Sequence, residues 1–319
     1  MAIYLVTGGA GFIGSHLVEK LLKDGHQVRI LDDFSTGRKE NLIFNPAPDN
    51  SSLRVFKGDL CDADTVGKAA SGVDGIFHLG AVPSVIRSVE DPIRTTEVNV
   101  LGTLNVLMAA REAGASRVVF ASSSSVYGSN ADGRPLAEED TGLPLSPYAA
   151  SKSTGESYMG VFHRLYGLET VSLRYFNVFG PRQDPQGEYA AVIAKFITCA
   201  LAGEPLPIYG DGQQTRDFTY VGNVVDATAL AMEASTSGED VLNVAGGSPV
   251  SLLEMVATLE QILGSKPKVV HLPARPGDIR HSSANIERSR AHLGFNPKVS
   301  FYQGLEYTVS SFRGDSQES

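Results

Sequence analysis

The sequence predicts an α/β fold in which a doubly wound parallel sheet is joined by a smaller, discontinuous α/β region. Three observations carry this. Short β-branched runs alternate with amphipathic stretches, a glycine-rich turn links the first run to the first amphipathic stretch, and several runs end in Gly, Asp or Ser. In order, IYLVTGG precedes SHLVEKLLKDG, QVRILDD follows, and GIFHLGA and RVVFASS come after helical segments of their own. Such repetition builds βαβ units, whose helices cover both faces of a parallel sheet. Polar residues at the carboxyl ends of strands stand where open α/β sheets bind ligands. From Asn177 the texture changes: NVFGPRQDPQGEY is rich in turn formers, and GEPLPIYGDGQQTRDFTYV reads as short extended pieces around tight turns. VVDATALAMEA then reads as a helix and VLNVAGG as a buried strand, before KVVHLP and ARPGDIRHSSANIERSRAHLGF resume a mixed pattern. Residues 1–176 and 217–262 are assigned to the sheet-bearing domain, and 177–216 with 263–312 to the smaller one.

Composition narrows the function. With 319 residues and 42% hydrophobic content the chain can bury a sizeable core, and a net charge of -9 without a Lys or Arg run argues against a nucleic-acid partner. Cys61 and Cys199 have no CxxC spacing and no His-Cys cluster, so neither a disulfide framework nor a metal site is expected, and both read as buried apolar cysteines. The opening AIYLVTGG lacks the pattern of a secretory signal, and no apolar run is long enough to span a bilayer. A cytoplasmic protein without a membrane partner is expected.

Gly8, Gly11 and Gly14 give GxxGxxG between a strand and a helix, and Gly9 also completes GxGxxG. Glycines serve a tight turn, let a pyrophosphate approach the backbone and let the helix pack close to the sheet. The helix N-terminus adds unpaired N–H groups and a positive dipole end. Asp32 ends the second strand about twenty residues after the glycines, where a carboxylate hydrogen-bonds an adenosine ribose. Asp32 and Asp33 repel a phosphate on that ribose, so NAD is favoured over NADP; Arg38 would reverse this if its loop folded back. Asp59 in KGDL either contacts the adenine or is a turn aspartate.

Tyr148 and Lys152 are spaced Tyr-x-x-x-Lys, downstream of ASSSSVYG. Residues four apart share a helix face, and a nearby cation favours the phenolate of a group whose reference pKa is about 10. The pair therefore reads as a proton acceptor for alcohol oxidation. His78 also follows a strand, but its place inside FHLGA favours packing, and no histidine is assigned to catalysis.

TGGAGFIG, GDL, FHLGA, Asn99 in EVNVLGT, ASSSSVYG, PYAASK and LRYFNVFGPR together resemble the extended short-chain dehydrogenase/reductase family, and within it the nucleotide-sugar 4-epimerases. The resemblance implies that Tyr148 is the acid/base, that Lys152 holds the cofactor ribose and lowers the tyrosine pKa, and that Ser123 hydrogen-bonds the reacting hydroxyl, with Ser124 as the alternative register. It implies an NAD site made from the glycine turn with Phe12 and Ile13, and from Asp32, Asp33, Ser35 and Gly37. Asp59 and Leu60, Leu79, Gly80 and Ala81, Asn99, Ser122 and Tyr175 complete that site. For a UDP-sugar it implies Asn177, Val192, Tyr209 and Asp278, with Arg216 and Arg275 gripping the diphosphate. Ser84 and Arg87 either line the sugar pocket or cap and decorate a helix.

Ser282 aligns with a gate position whose small side chain leaves room for an N-acetyl group, which favours UDP-N-acetylglucosamine and UDP-N-acetylgalactosamine, with UDP-glucose and UDP-galactose also admitted. Ser124 and Ser125 stand where related dehydratases carry an acidic pair, so dehydration lacks its general acid. A homodimer is implied through helices around Asn99–Arg111 and Tyr148–Tyr166. The rivals are a UDP-glucuronate 4-epimerase or decarboxylase, with Arg182 and Arg280 for the carboxylate, and a non-catalytic dinucleotide-binding sensor.

Overall fold

The strands of the computed structural model are β1 (Ile3–Thr7), β2 (Gln27–Asp32), β3 (Leu53–Lys57), β4 (Gly75–His78), β5 (Arg117–Ser123), β6 (Glu169–Tyr175), β7 (Val178–Phe179), β8 (Leu206–Tyr209), β9 (Thr215–Arg216), β10 (Thr219–Tyr220), β11 (Glu239–Val244), β12 (Val250–Ser251), β13 (Val269–Leu272) and β14 (His281–Ser282). The helices are α1 (Phe12–Lys23), α2 (Ala63–Ala70), α3 (Val85–Glu90), α4 (Pro92–Thr96), α5 (Gly102–Ala113), α6 (Pro147–Tyr166), α7 (Val192–Ala202), α8 (Val221–Glu233), α9 (Leu252–Leu263), α10 (Glu287–Leu293) and α11 (Phe301–Arg313). The structure describes residues 1–44, 49, 51–128, 133–185, 192–235, 238–274 and 280–314.

A seven-stranded parallel sheet has the order β11-β6-β5-β4-β1-β2-β3. The near-continuous apolar runs of its inner strands follow from burial on both faces. In β1, Tyr4 and Val6 join one core with α1 and α8, while Leu5 joins the opposite core with α2, α5 and α6. From β1 the chain builds outward through β2 to β3, then crosses to β4 on the other side of β1. The crevice opened by such a reversal is where a doubly wound sheet binds ligands.

The remaining pieces form three small sheets, β10-β7, β12-β9-β14 and β13-β8. A third core gathers Phe179, Ile193, Phe196, Ile208, Phe218 and Leu305. Leu252, Met255 and Leu259 of α9, drawn with the sheet-bearing domain from the sequence, also pack there. Among the described residues no helix is long and apolar enough to cross a membrane.

Candidate active site

A cleft of about 750 Å³ opens at the β1/β4 reversal, walled by the glycine turn, the ends of β2, β3 and β4, and the start of α6. The turn after β1 is closed by the Gly11 N–H donating to Gly8 O at 3.1 Å. Gly8 has φ +68°, and a Cβ there would stand 2.8 Å from Gly80 Cα; at Gly14 it would stand 2.1 Å from Gly8 O. The two strand-end turns and the first turn of α1 are thus in backbone contact, leaving no room for side chains. Gly11 precedes α1 with no side-chain cap and no acidic residue in the first turn, so its free N–H groups and dipole end suit a pyrophosphate.

Asp32 closes one end of the cleft. Its carboxylate accepts from Ala10 N at 2.9 Å and Phe34 N at 2.8 Å, while burial pushes its pKa up against those bonds. A Cβ on Gly37 would fall 2.7 Å from Asp32 Oδ1, so glycine lets this loop close on the carboxylate. Ser35 donates its hydroxyl to Asp33 at 2.6 Å. Arg38, which would have reversed the NAD reading by meeting a phosphate, pairs with Asp184 at 2.7 Å. Glycine cradle, uncapped helix and ribose-side carboxylate together fit a dinucleotide. Phe12, Ile13, Leu60, Leu79 and Ala81 also line the cleft.

Several expected cofactor residues have other work. Asp59 lines the cleft but also meets Arg94 at 2.5 Å; burial pushes its carboxyl up, and the Cys61 N–H and Arg94 outweigh that to bring it below the ordinary range. Cys61 is not simply buried: it is half-exposed, with Sγ 3.5 Å from Arg94. Asn99 is off the cleft wall, accepting from Val82 N at 2.8 Å and donating to Ser151 Oγ at 3.0 Å, so it ties the turn after β4 to α6. It sits in a π-helical turn, Glu97–Leu101, which re-aims side chains locally. Tyr175 lines the cleft, yet its hydroxyl is 2.7 Å from Thr228 Oγ1, and burial raises its pKa.

The first turn of α6 carries Tyr148. Ser146 caps it by accepting from Ala149 N at 3.1 Å, and Pro147 fills the position where no N–H is needed. The enclosed Tyr148 phenol lies beside Ser123, whose Oγ accepts from Ser125 N at 3.2 Å. Burial raises the phenol pKa and the neighbouring Ser123 hydroxyl opposes it. The expected lowering by Lys152 is not found. Lys152 Nζ instead donates to Ala121 O at 2.7 Å, 5.8 Å from the Tyr148 ring centre, so this chain directs the ammonium at a strand carbonyl. Burial lowers Lys152 to about 8, with Glu156 opposing. His78 is buried, bonded to Thr7 at 2.8 Å and Thr103 at 3.0 Å, and burial followed by the Lys152 charge lowers it to about 3. A neutral, packed histidine results.

Ser123 pairs across the sheet with Tyr175, and two residues on Asn177 donates to Asp217 O at 3.2 Å. This links the Ser123 end of β5 to the segment beside Arg216 of β9. Arg216 and Ser282 are register partners in β9 and β14, so their side chains leave the same face. Arg216 donates to Thr215 O at 2.9 Å. Val192 opens α7 and Tyr209 ends β8. None of Asn177, Val192, Tyr209, Arg216 or Ser282 lies on the wall of the cofactor cleft. Ser84 is also off it and caps α3, accepting from Arg87 N at 3.2 Å, whereas Arg87 lines it. Arg275 and Asp278 lie outside the described residues.

Residues 4–245 match the NAD dependent epimerase/dehydratase family. The chain belongs to this family, and its cofactor is NAD. A UDP-glucose 4-epimerase of Mycolicibacterium smegmatis is 43% identical, over 98% of this chain and 99% of its own. The structure of a UDP-N-acetylglucosamine 4-epimerase from Methanobrevibacter ruminantium, in complex with UDP-N-acetylmuramic acid, is 42% identical, with TM-score 0.92 over 99% of both chains. That of a Thermus thermophilus UDP-glucose 4-epimerase with NAD is 41% identical, with TM-score 0.87 over 98% of this chain and 100% of its own.

Sequence reasoning missed several residues that shape the site of this epimerase/dehydratase family member. Glu156 accepts from Ser122 Oγ at 2.5 Å and pairs with Arg174 at 2.8 Å, committing the Ser122 hydroxyl away from any ligand. Arg94 and Gln183 line the cleft without belonging to any spacing pattern.

Proposed function

We propose that the chain is a UDP-hexose 4-epimerase that interconverts UDP-N-acetylglucosamine with UDP-N-acetylgalactosamine, and UDP-glucose with UDP-galactose as well. The juxtaposition of Ser123 and the Tyr148 phenol, at the edge of the NAD cleft with Lys152 behind, carries this reading. When bound, NAD supplies the acceptor and donor of hydride for carbon four of the sugar. Tyr148, as its phenolate, takes the proton of the 4-hydroxyl as the carbonyl forms, and Ser123 holds that oxygen in line. The same phenol returns the proton after the 4-ketose has turned over, so the chain ends each cycle in its starting protonation state. Lys152, largely charged at neutral pH, favours the phenolate when the substrate is in place. Arg216 and Arg275 anchor the diphosphate while the sugar pivots, and Ser282 leaves space beside carbon two.

The uronate reading is less well supported: Arg182 pairs with Glu19, and Arg280 with Asp211 at 3.0 Å, so the chain's own carboxylates already engage both cations proposed for it. We further infer a homodimer working in the cytoplasm. Proton NMR of UDP-N-acetylglucosamine with purified protein and no added NAD should show inversion at carbon four; an unchanged spectrum rejects the assignment. Tyr148→Phe should keep NAD and lose epimerisation by about 10²-fold or more. Full turnover by that variant removes Tyr148 from the chemistry.

A further inference from the structure

The segment after β7, Pro181–Asp184, is held against the cofactor cleft from two sides. Arg182 takes the left-handed conformation at φ 65°, uncommon for a side chain of its size. From there its guanidinium pairs with Glu19 of α1 and lies 5.8 Å from the Phe44 ring centre. His16, on the same helix, bonds Pro181 O at 2.9 Å through Nε2; burial, then the Arg182 charge, lowers its pKa to about 4, so it is a neutral donor. On the other side, Asp184 pairs with Arg38 of the loop after β2 at 2.7 Å. Arg38, Arg182, Gln183 and Asp184 all line the cleft.

Between the two ion pairs stands Gln183. Its amide nitrogen donates to Val178 O at 3.1 Å, while its Oε1 is buried without a hydrogen-bond partner among the described residues. An unsatisfied buried acceptor costs about 1–3 kcal/mol, so such atoms in native folds point to a missing donor. A dinucleotide carries such donors on its ribose hydroxyls, adenine amine and carboxamide.

We propose that Pro181–Asp184 is a latch that retains NAD, with the Arg182–Glu19 and Arg38–Asp184 pairs pinning it across the cleft and Gln183 Oε1 accepting a hydrogen bond from the dinucleotide. This rests on NAD being the cofactor, not on which sugar is turned over. Its use follows from the proposed chemistry: one NAD must receive hydride and give it back before it can leave. The two pairs contribute unequally. Arg38 and Asp184 are about half exposed, at 52% and 46%, whereas Arg182 and Glu19 are each 23% exposed, so the second pair holds the latch.

The test is NAD release, followed by stopped-flow displacement on the full chain and independent of epimerase turnover. Glu19→Gln and Gln183→Leu should each release NAD about tenfold faster, and Arg38→Ala should stay within about threefold. Wild-type release should quicken from low salt to about 1 M, and Glu19→Gln should lose most of that response. Melting curves show whether each variant is folded, and the wild-type salt response needs no variant. Wild-type release rates in both Glu19→Gln and Gln183→Leu, or a salt-insensitive wild type, overturn the latch. If the latch result holds while the NMR result fails, NAD is retained for another reaction.

Discussion

Asp217 shows how far a single residue is set by what surrounds it. It follows Arg216 in the sequence, carries no spacing pattern of its own, and is wholly buried. Its carboxylate accepts from Gly247 N at 3.0 Å and Ala284 N at 3.4 Å, tying β9 to the segments after β11 and β14. Burial pushes its pKa from 3.8 up to about 6, against those N–H bonds. A carboxyl raised on folding gives stability that is fully present below the unfolded value and is lost as pH rises through the folded one. Between about pH 4 and 6 this group therefore favours the folded state less and less, by on the order of 3 kcal/mol in all. Thermal melts of Asp217→Asn should lack that share of the pH slope; parallel slopes for wild type and variant count against it. Its signal was absent from the sequence because burial depends on segments 30 and 67 residues away, at Gly247 and Ala284.

Two helices of the chain illustrate opposite uses of glycine. In α1, a Cβ on Gly14 would strike Gly8 O at 2.1 Å, an atom of a rigid turn that cannot swing aside. Gly14→Ala should push the helix off the cradle, lowering the melting point and weakening NAD binding by tenfold or more, since overpacking costs about 1–3 kcal/mol. Gly67 in α2 meets nothing within 4 Å. Gly67→Ala should be neutral or stabilise by up to about 1 kcal/mol with NAD binding unchanged. Titration of NAD with parallel melting curves separates the two, and equal behaviour contradicts the backbone-contact account. Gly14 was legible because strand, turn and helix are consecutive. The neighbour of Ser123 was not: Ser122, Glu156 and Arg174 meet across 34 and 18 residues of chain, once β5, β6 and α6 are assembled.

On the scale of the whole molecule, α4, the π-helical turn, α5 and the end of α6 each expose apolar side chains. Ile93 is 72% exposed, Leu101 46%, Met108 39% and Leu165 69%, and Pro92, Ile93, Val100, Leu101 and Leu104 line a shallow groove. Patches of this kind mark association surfaces, and these helices overlap those expected for a homodimer. The doubled variant Leu101→Asp with Leu165→Asp should move the mass in light scattering from twice 33.9 kDa to 33.9 kDa while retaining NAD. A wild type already at 33.9 kDa removes the dimer from the proposal.

Read alone, the amino-acid order settled what depends on neighbours along the chain. Strand and helix periods, the glycine turn with Asp32 at the next strand end, and the Tyr148–Lys152 face are all short-range, and they brought with them the sheet, the cofactor and the family. What each polar group does was decided only in three dimensions. Lys152 turns to Ala121 O, Ser122 to Glu156, Tyr175 to Thr228 and Asn99 to the turn after β4, because a buried donor or acceptor takes whichever partner the packed strands and helices bring within about 3 Å. Those partners come from distant segments, and no spacing in a linear sequence encodes their meeting.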